Sequence, residues 1–203
     1  MESVIHPLTP EKEAELAAFT SVRNGVVLNH CAAIGGIGDI TSDAKGSGAR
    51  FNTGKVPYEL LPLGVALRNW SEEPDRIAEH VIHLLGEWQA GNDGALADAL
   101  GYSCYNDSNA GSLEDFADAA RVFDYGRRKY AEWNWAKGMQ WSVPLGCAIR
   151  HCLAILSGEE NDPESGLPHI GHVKCNLLML LTFAETYPEG DDRPVKWLKH
   201  SKP

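Results

Sequence analysis

The chain has 203 residues, of which 43% are apolar, so it is long enough to bury the core of one domain. Its formal net charge of −10 argues against duplex nucleic acid as the main partner, because a phosphate backbone is bound by clustered lysines and arginines. The cysteines are scattered and form no C-x-x-C pair, which favours a reducing, cytoplasmic setting over a disulfide framework. No apolar run reaches the roughly 20 residues of a membrane-spanning helix, so no membrane partner is expected.

The N-terminal part of the chain predicts one helix followed by a loop. Its polar first residues do not resemble a signal peptide. A helix is expected to begin at Pro10, where acidic residues occupy the first turn. Residues 31–56 are rich in glycine and predict a loop, with a short strand near residues 25–28.

Apolar periodicity and capping residues predict five helices in the rest of the chain. One runs from an N-cap at Ser71 to about Ala90, and a short one covers 95–100. After a loop at 101–111, Ser112 caps a helix that extends past Arg127. The last two cover 143–156 and 168–186. These elements predict an all-α, bundle-like domain with a loop-rich N-terminal region.

The last two helices and the loop between them carry a cluster of histidines and acids. His169, His172 and Asn176 lie at positions i, i+3 and i+7, and therefore share one helical face. The opposite face offers leucines and Phe183 to the core. If the two helices pack antiparallel, five side chains can converge: His151, Glu159, Asp162, His169 and His172.

Such a mixture of imidazoles and carboxylates predicts a site for a divalent metal. Imidazole and carboxylate suit Mn²⁺, Fe²⁺, Co²⁺ or Zn²⁺, and a carboxylate-rich subset also accepts Mg²⁺. A metal ion of this kind can bind phosphate oxygens and activate water. The alternative is that the histidines are helix-cap and interface residues and that the acids only solvate a turn.

Two further segments combine cations with groups that suit a nucleotide. In the first segment, aromatic rings can stack on a base while cations bind phosphate. The alternative is that this segment only connects two helices and packs them together. Its residues are Arg127, Arg128, Lys129, Tyr130, Trp133, Asn134, Trp135 and Lys137. The second is GARFNTGK at 48–55, which is not a Walker A motif but can hold phosphate through Arg50, Asn52, Thr53 and Lys55. An ordinary turn is the alternative there. Arg150, about 100° around its helix from His151, is expected to serve phosphate or a carboxylate.

Three strings resemble one family in the same order. They are GARFNTGKVPYELLP (48–62), ARVFDYGRRKYAEWNWAKG (120–138) and RHCLAILSGEENDPESGLPHIGHVKCN (150–176). Together they resemble the phage dATP/dGTP diphosphohydrolases, a MazG-like, all-α group of nucleoside triphosphate pyrophosphohydrolases. MazG enzymes proper carry an ExxD helix where this chain has His169 and His172.

The resemblance implies hydrolysis of a purine deoxynucleoside triphosphate to the monophosphate and pyrophosphate, in phage nucleotide metabolism. It implies a divalent metal, Mg²⁺ or Mn²⁺, with Co²⁺, Fe²⁺ or Zn²⁺ as alternatives. By position, the metal ligands are His151, Glu159, Asp162, His169 and His172, and the catalytic residues are Glu159, Asp162 and His151. The implied substrate-binding residues are Asn52, Lys55, Lys129, Tyr130, Asn134, Trp135, Lys137 and Arg150.

The resemblance also implies an organisation for the chain. Residues 1–47 form an N-terminal extension, and 48–203 form the helical catalytic domain, with an insertion at about 66–112. A homo-oligomer in the cytoplasm of an infected host cell is expected. One alternative is a phage protein that binds and sequesters a nucleotide-derived signal. Another is a hydrolase of a cyclic nucleotide or other phosphodiester, although the His-Asp dipeptide of HD-type enzymes is missing.

Overall fold

Every regular element in the described part of the chain is helical, which confirms the predicted all-α class. The computed structural model describes residues 44–48, 50, 55–66, 76–104 and 113–198, all within the unit Ile34–Pro203. The α-helices are α1 (Leu63–Ala66), α2 (Ile77–Gln89), α3 (Ala95–Ser103), α4 (Ala117–Lys129), α5 (Ser142–Leu156), α6 (His169–Thr186) and α7 (Val195–Leu198). The 3₁₀ helices are Tyr58–Leu60, Leu113–Phe116, Asn134–Lys137 and Pro188–Gly190.

Several predictions fall outside the described residues: the helix at Pro10, the strand near 25–28, the N-caps at Ser71 and Ser112, and the role of Asn52. The last two long helices begin and end within a residue of their predicted bounds. The described part of α2 begins later than predicted, at Ile77, because Arg76 before it is extended. Helix α3 continues to Ser103, so the first residues of the predicted loop at 101–111 are helical.

Helices α5 and α6 form the antiparallel hairpin that the sequence suggested. At one end His151, in the last turns of α5, contacts His169 at the first position of α6. At the other end the indole N–H of Trp141, which precedes α5, donates to the carbonyl of Tyr187, which follows α6. The two contacts, at opposite ends of the pair, fix the direction and register of the hairpin.

Helix α6 is the central element and is buried on more than one side. Leu177, Leu180 and Phe183 are fully buried in the apolar core, together with side chains of α2, α3 and α5. The histidine-bearing face is also buried, because α4 and α5 cover it. The predicted insertion at 66–112 contains α2 and α3, whose packing against α5 and α6 makes them part of this core; the insertion itself stays a prediction.

The C-terminal segment is held to the bundle by Arg193. Its guanidinium lies over the rings of Trp88 and Trp141, 4.5 and 5.0 Å from their centroids. It also donates to the Trp88 carbonyl and pairs with Asp93 and Asp191 at 2.8 Å. Charge and stacking together fix this segment beside the start of α5. No helix in the described residues combines the length and apolar character needed to cross a membrane.

The crossing of α4 and α6 is close enough to require glycine. A β-carbon at Gly171 would lie 2.8 Å from the β-carbon of Asp118 and 3.0 Å from its carbonyl carbon. The backbone of α4 therefore approaches α6 directly. Asp118 lies in the first turn of α4, and the last turns of that helix lead into the site described below.

We expect Gly171→Ala to lower the free energy of unfolding by about 1–3 kcal/mol, because the methyl group forces α4 and α6 apart. Urea denaturation followed by circular dichroism measures this. The matched control is Gly101→Ala in α3, where a β-carbon meets nothing within 4 Å. The control should be neutral or stabilising, since alanine is the better helix former. Equal effects of the two substitutions would contradict the close crossing.

Candidate active site

The loop that joins α5 to α6 is folded tightly by its own hydrogen bonds. Gly158 ends α5 with a φ of 87°, and Gly166 turns the loop with a φ of 72°, both values that favour glycine. The backbone N–H of Asp162 donates to Leu167, and that of His169 donates to Glu160, at 2.9 Å each. The Asp162 carboxylate accepts from the N–H of Ser165 at 2.8 Å. The acidic loop is thereby folded back over the start of α6.

Three imidazole rings meet beneath this loop. The Nδ1 atoms of His151 and His169 lie 2.8 Å apart. The ring of His172 stacks on that of His151 with centroids 4.3 Å apart. Two carboxylates border the group: Glu159 Oε2 is 3.7 Å from His169 Nε2, and Asp162 Oδ2 is 3.8 Å from His172 Nε2. The structure thus brings together all five residues that the sequence proposed as a cluster.

The environment keeps two of these imidazoles neutral at neutral pH. Burial, reinforced by the neighbouring histidines, lowers the pKa of His151 to about 3. Burial also lowers the pKa of His172 to about 4, although Asp162 opposes it. Burial tends to raise the pKa of Asp162, but hydrogen bonds from Ser165 outweigh it and hold that pKa below its usual value. The cluster therefore presents imidazole lone pairs beside an ionised carboxylate.

This donor set fits a divalent metal. Ligand atoms of His151, Asp162 and His169 all lie within 4.8 Å of one another, a spacing that one ion can bridge. In addition, the buried Nε2 of His169 has no hydrogen-bond partner in the described part of the chain. Because buried polar atoms are nearly always paired, this nitrogen marks a position for a further group. Zinc, manganese, cobalt and iron all accept such ligands.

Ser165 determines how His172 is held. The hydroxyl oxygen of Ser165 lies 2.8 Å from His172 Nε2 and also accepts from the N–H of Leu167 at 3.2 Å. That histidine nitrogen is therefore engaged by a hydroxyl, whereas Nε2 of His169 is not. Ser165 was not proposed from the sequence, although its place in the string ESGLPH, close to His169 and His172, was a signal that could have identified it.

A cavity of about 710 Å³ opens beside the cluster and collects most of the predicted residues. Of the predicted site residues, those that line it are Lys55, Lys129, Tyr130, Asn134, Trp135, Arg150, His151, Glu159, Asp162, His169 and His172. Lys137 does not line this cavity, and Asn52 lies outside the described residues. The roles assigned to individual residues stay predictions. The volume suits a ligand of nucleotide size.

The cations that line the cavity differ in whether a carboxylate of the protein lies close to them. Lys129 pairs with Glu164, and hydrogen bonding from Lys129 lowers the pKa of that carboxyl. Arg150 donates to the carbonyl of Val56 at 3.1 Å and lies 3.8 Å from Glu59. These two cations are therefore partly neutralised by the protein.

Arg50 differs from Lys129 and Arg150 in its contacts. Its guanidinium donates to the side-chain oxygen of Asn176 at 2.8 Å and contacts the sulfur of Met179 at 3.1 Å. Neither partner neutralises its charge. Asn176 in turn donates to the carbonyl of His172 at 2.7 Å, which connects Arg50 to the histidine cluster. The sequence drew attention to both residues but did not predict that they would meet across 126 positions.

Comparison with known proteins confirms the predicted resemblance for part of the chain. Residues 112–193 match the family described as dATP/dGTP diphosphohydrolase, N-terminal. A dATP/dGTP diphosphohydrolase of Salmonella phage PMBT28 is 32% identical over 76 residues, which are 37% of this chain and 26% of the phage protein. The chain thus spans about a quarter of the length of that relative. No solved structure matches the chain, so kinship with MazG enzymes stays a prediction.

The matched segment contains the aromatic and cationic residues between Arg127 and Lys137 and the whole histidine cluster. It does not contain Arg50 or Lys55, which line the same cavity. Residues 112–193 are therefore similar in sequence to the N-terminal domain of a family of diphosphohydrolases, and the regular elements described within them are all helical.

We expect the protein to bind one Co²⁺ or Mn²⁺ per site, and His169→Ala or Asp162→Asn to weaken this binding at least about tenfold, because each removes a ligand. Isothermal titration calorimetry measures the affinity. The matched control is His80→Ala, since His80 stacks on Tyr102 in another part of the bundle and does not line the cavity. Unchanged affinity in both cluster variants would rule out this metal site.

Proposed function

We propose that this protein hydrolyses purine deoxynucleoside triphosphates to the monophosphate and pyrophosphate with the help of a divalent metal. The observation that carries the proposal is the convergence of His151, Asp162 and His169 on the wall of a cavity that also holds cations and aromatic rings. The similarity of residues 112–193 to dATP/dGTP diphosphohydrolases supports the substrate class.

The metal would be held by His151, Asp162 and His169. At such a position a divalent ion supplies positive charge for phosphate oxygens and increases the acidity of nearby water. His172 and Ser165 position the cluster: His172 stacks on His151, and Ser165 holds both His172 and the Asp162 loop. The low pKa of His151 keeps its imidazole available as a ligand throughout the neutral range.

The cations of the cavity are suited to the triphosphate. Arg50 offers a charge that its contacts with Asn176 and Met179 leave unneutralised. Lys129 can exchange its pairing with Glu164 for a phosphate oxygen, since both groups are partly exposed. Phosphate is bound most tightly by donors that carry charge. The triphosphate would therefore lie along the wall that contains Arg50 and Lys129, next to the histidine cluster.

Glu159 is the residue best placed to accept the proton of the attacking water. Its carboxylate lines the cavity, is about half exposed, and lies 3.7 Å from the buried His169 Nε2. In the reaction, the water oxygen bonds to the α-phosphorus as the bond from that phosphorus to the bridging oxygen breaks, and pyrophosphate leaves. The water proton passes to Glu159 and from there to solvent. A positioned base of this kind typically contributes about 10²–10⁴-fold to the rate.

We expect purified protein with Mg²⁺, Mn²⁺ or Co²⁺ to release dAMP and dGMP with pyrophosphate from dATP and dGTP, as read by mass spectrometry. Glu159→Gln should lower kcat by about 10²–10⁴-fold because it removes the base. The matched control is Glu185→Gln, at an exposed position near the end of α6 that does not line the cavity.

The outcomes separate the candidate functions. If no deoxynucleoside triphosphate yields a monophosphate with any of these metals, the proposal fails. Recovery of an intact nucleotide after tight binding would favour a sequestering protein. Opening of a cyclic nucleotide in the same substrate panel would favour a phosphodiesterase.

We also expect Arg50→Met to raise the Kd for inorganic pyrophosphate by about tenfold or more, because a charge-assisted contact is lost. Affinity for Co²⁺ should remain, since Arg50 is not among the predicted ligands. Arg50→Lys keeps the charge, and its Kd for pyrophosphate should lie between those of the wild type and Arg50→Met. Thermal melting establishes that each variant is folded. A folded Arg50→Met protein that binds pyrophosphate as the wild type does would remove Arg50 from the phosphate site.

A further inference from the structure

Trp133 has an unusual backbone conformation. It has a φ of 55° and a ψ of 16°, in the left-handed region, and among the described residues it is the only one other than glycine with a positive φ. A bulky side chain is strained there, because its β-carbon crowds the backbone. Glycine or asparagine would occupy this position more easily.

The neighbours of Trp133 hold it in this conformation. Asn134 is buried and donates its N–H to Ala131 at 3.3 Å, while the N–H of Ala136 donates to the carbonyl of Trp133 at 2.9 Å. The ring of Trp135 packs against Phe123 and Phe183, with centroids 5.1 and 6.3 Å away. The residues that follow Trp133 are therefore anchored, and they impose the strain at Trp133.

The strained backbone places an exposed indole at the cavity. The side chain of Trp133 is 67% exposed yet lines the cavity, with its ring 6.3 Å from that of Trp135. Exposure of a large aromatic ring forgoes the burial that usually stabilises it. Strain and exposure at one residue beside a cavity are typical of a ligand contact.

We propose that Trp133 is the platform on which the purine ring of the substrate stacks. The inference rests on the proposed function. It assigns a binding residue to the purine base, which the phosphate-binding residues do not recognise. An indole face suits a flat heterocycle, and stacking of this kind binds a base without hydrogen bonds. The same cavity provides Arg50 and Lys129 for the phosphates, so the two chemical parts of a nucleotide each have a matching surface.

The test uses three variants and two probes. Trp133→Asn removes the ring but tolerates the left-handed backbone, and Trp133→Phe keeps a smaller ring. The matched control is Trp197→Ala, since Trp197 is 76% exposed and does not line the cavity. The probes are dATP, titrated with Ca²⁺ to slow turnover, and inorganic tripolyphosphate, which has no base. Calorimetry gives both affinities and thermal melting gives stability.

We expect Trp133→Asn to weaken dATP binding by about 10–100-fold, the range typical for loss of one stacked base. Tripolyphosphate binding should stay within about twofold of the wild type, because no phosphate contact is removed. Trp133→Phe should recover most of the dATP affinity, and Trp197→Ala should match the wild type. The melting temperature of Trp133→Asn should rise, because backbone strain is relieved.

Two results would overturn the platform. One is unchanged dATP affinity in Trp133→Asn. The other is an equal loss for dATP and tripolyphosphate together with a lower melting temperature, which would mark Trp133 as structural. Turnover separates this inference from the proposed function. If wild-type protein hydrolyses dATP but Trp133→Asn binds it normally, only the platform fails. If dATP binds through Trp133 but is not hydrolysed, only the reaction fails.

Discussion

The contact between the Nδ1 atoms of His151 and His169 is the interaction on which the candidate site depends. Two imidazole nitrogens lie 2.8 Å apart only if at least one of them presents a lone pair, so the two rings cannot both be cationic. Burial supplies this condition by lowering the pKa of His151. The contact also requires that α5 and α6 run antiparallel with their facing ends level, which the glycine at 158 and the hydrogen-bonded loop achieve. The geometry of the hairpin and the protonation state of the histidines therefore depend on each other.

The apolar packing around this hairpin explains why the centre of the bundle can contain buried polar residues. Helix α6 places leucines and Phe183 in the apolar core, where it packs against α3, and places its histidines toward α4 and α5. The buried histidines and Asn176 destabilise the fold unless they are paired, and most of them are. The exception is Nε2 of His169, which is left without a partner in the described residues and points to a ligand. At the far end of α4, Lys129 pairs with Glu164 and lines the same cavity.

Sequence reasoning succeeded where the relevant distances are local. The spacing of His169 and His172 on one helix, and a short loop to His151, sufficed to predict that these side chains meet. Sequence reasoning failed where contacts between distant parts of the chain determine which side chains meet. Nothing local indicates that Arg50 reaches Asn176, or that Arg150 lies near Glu59, because these pairs are separated by long stretches of chain. Lys137 was grouped with its neighbours along the chain, yet it does not line the cavity.

The cavity is assembled from two parts of the chain, and they contribute different chemistry. The segment at 112–193, which is similar to the phage diphosphohydrolases, carries the histidine cluster, Glu159 and the aromatic residues. Arg50 and Lys55 come from outside it and add positive charge to the same space. The proposed binding of the triphosphate therefore draws on both parts of the chain, because Arg50 lies outside the matched segment whereas Lys129 lies within it.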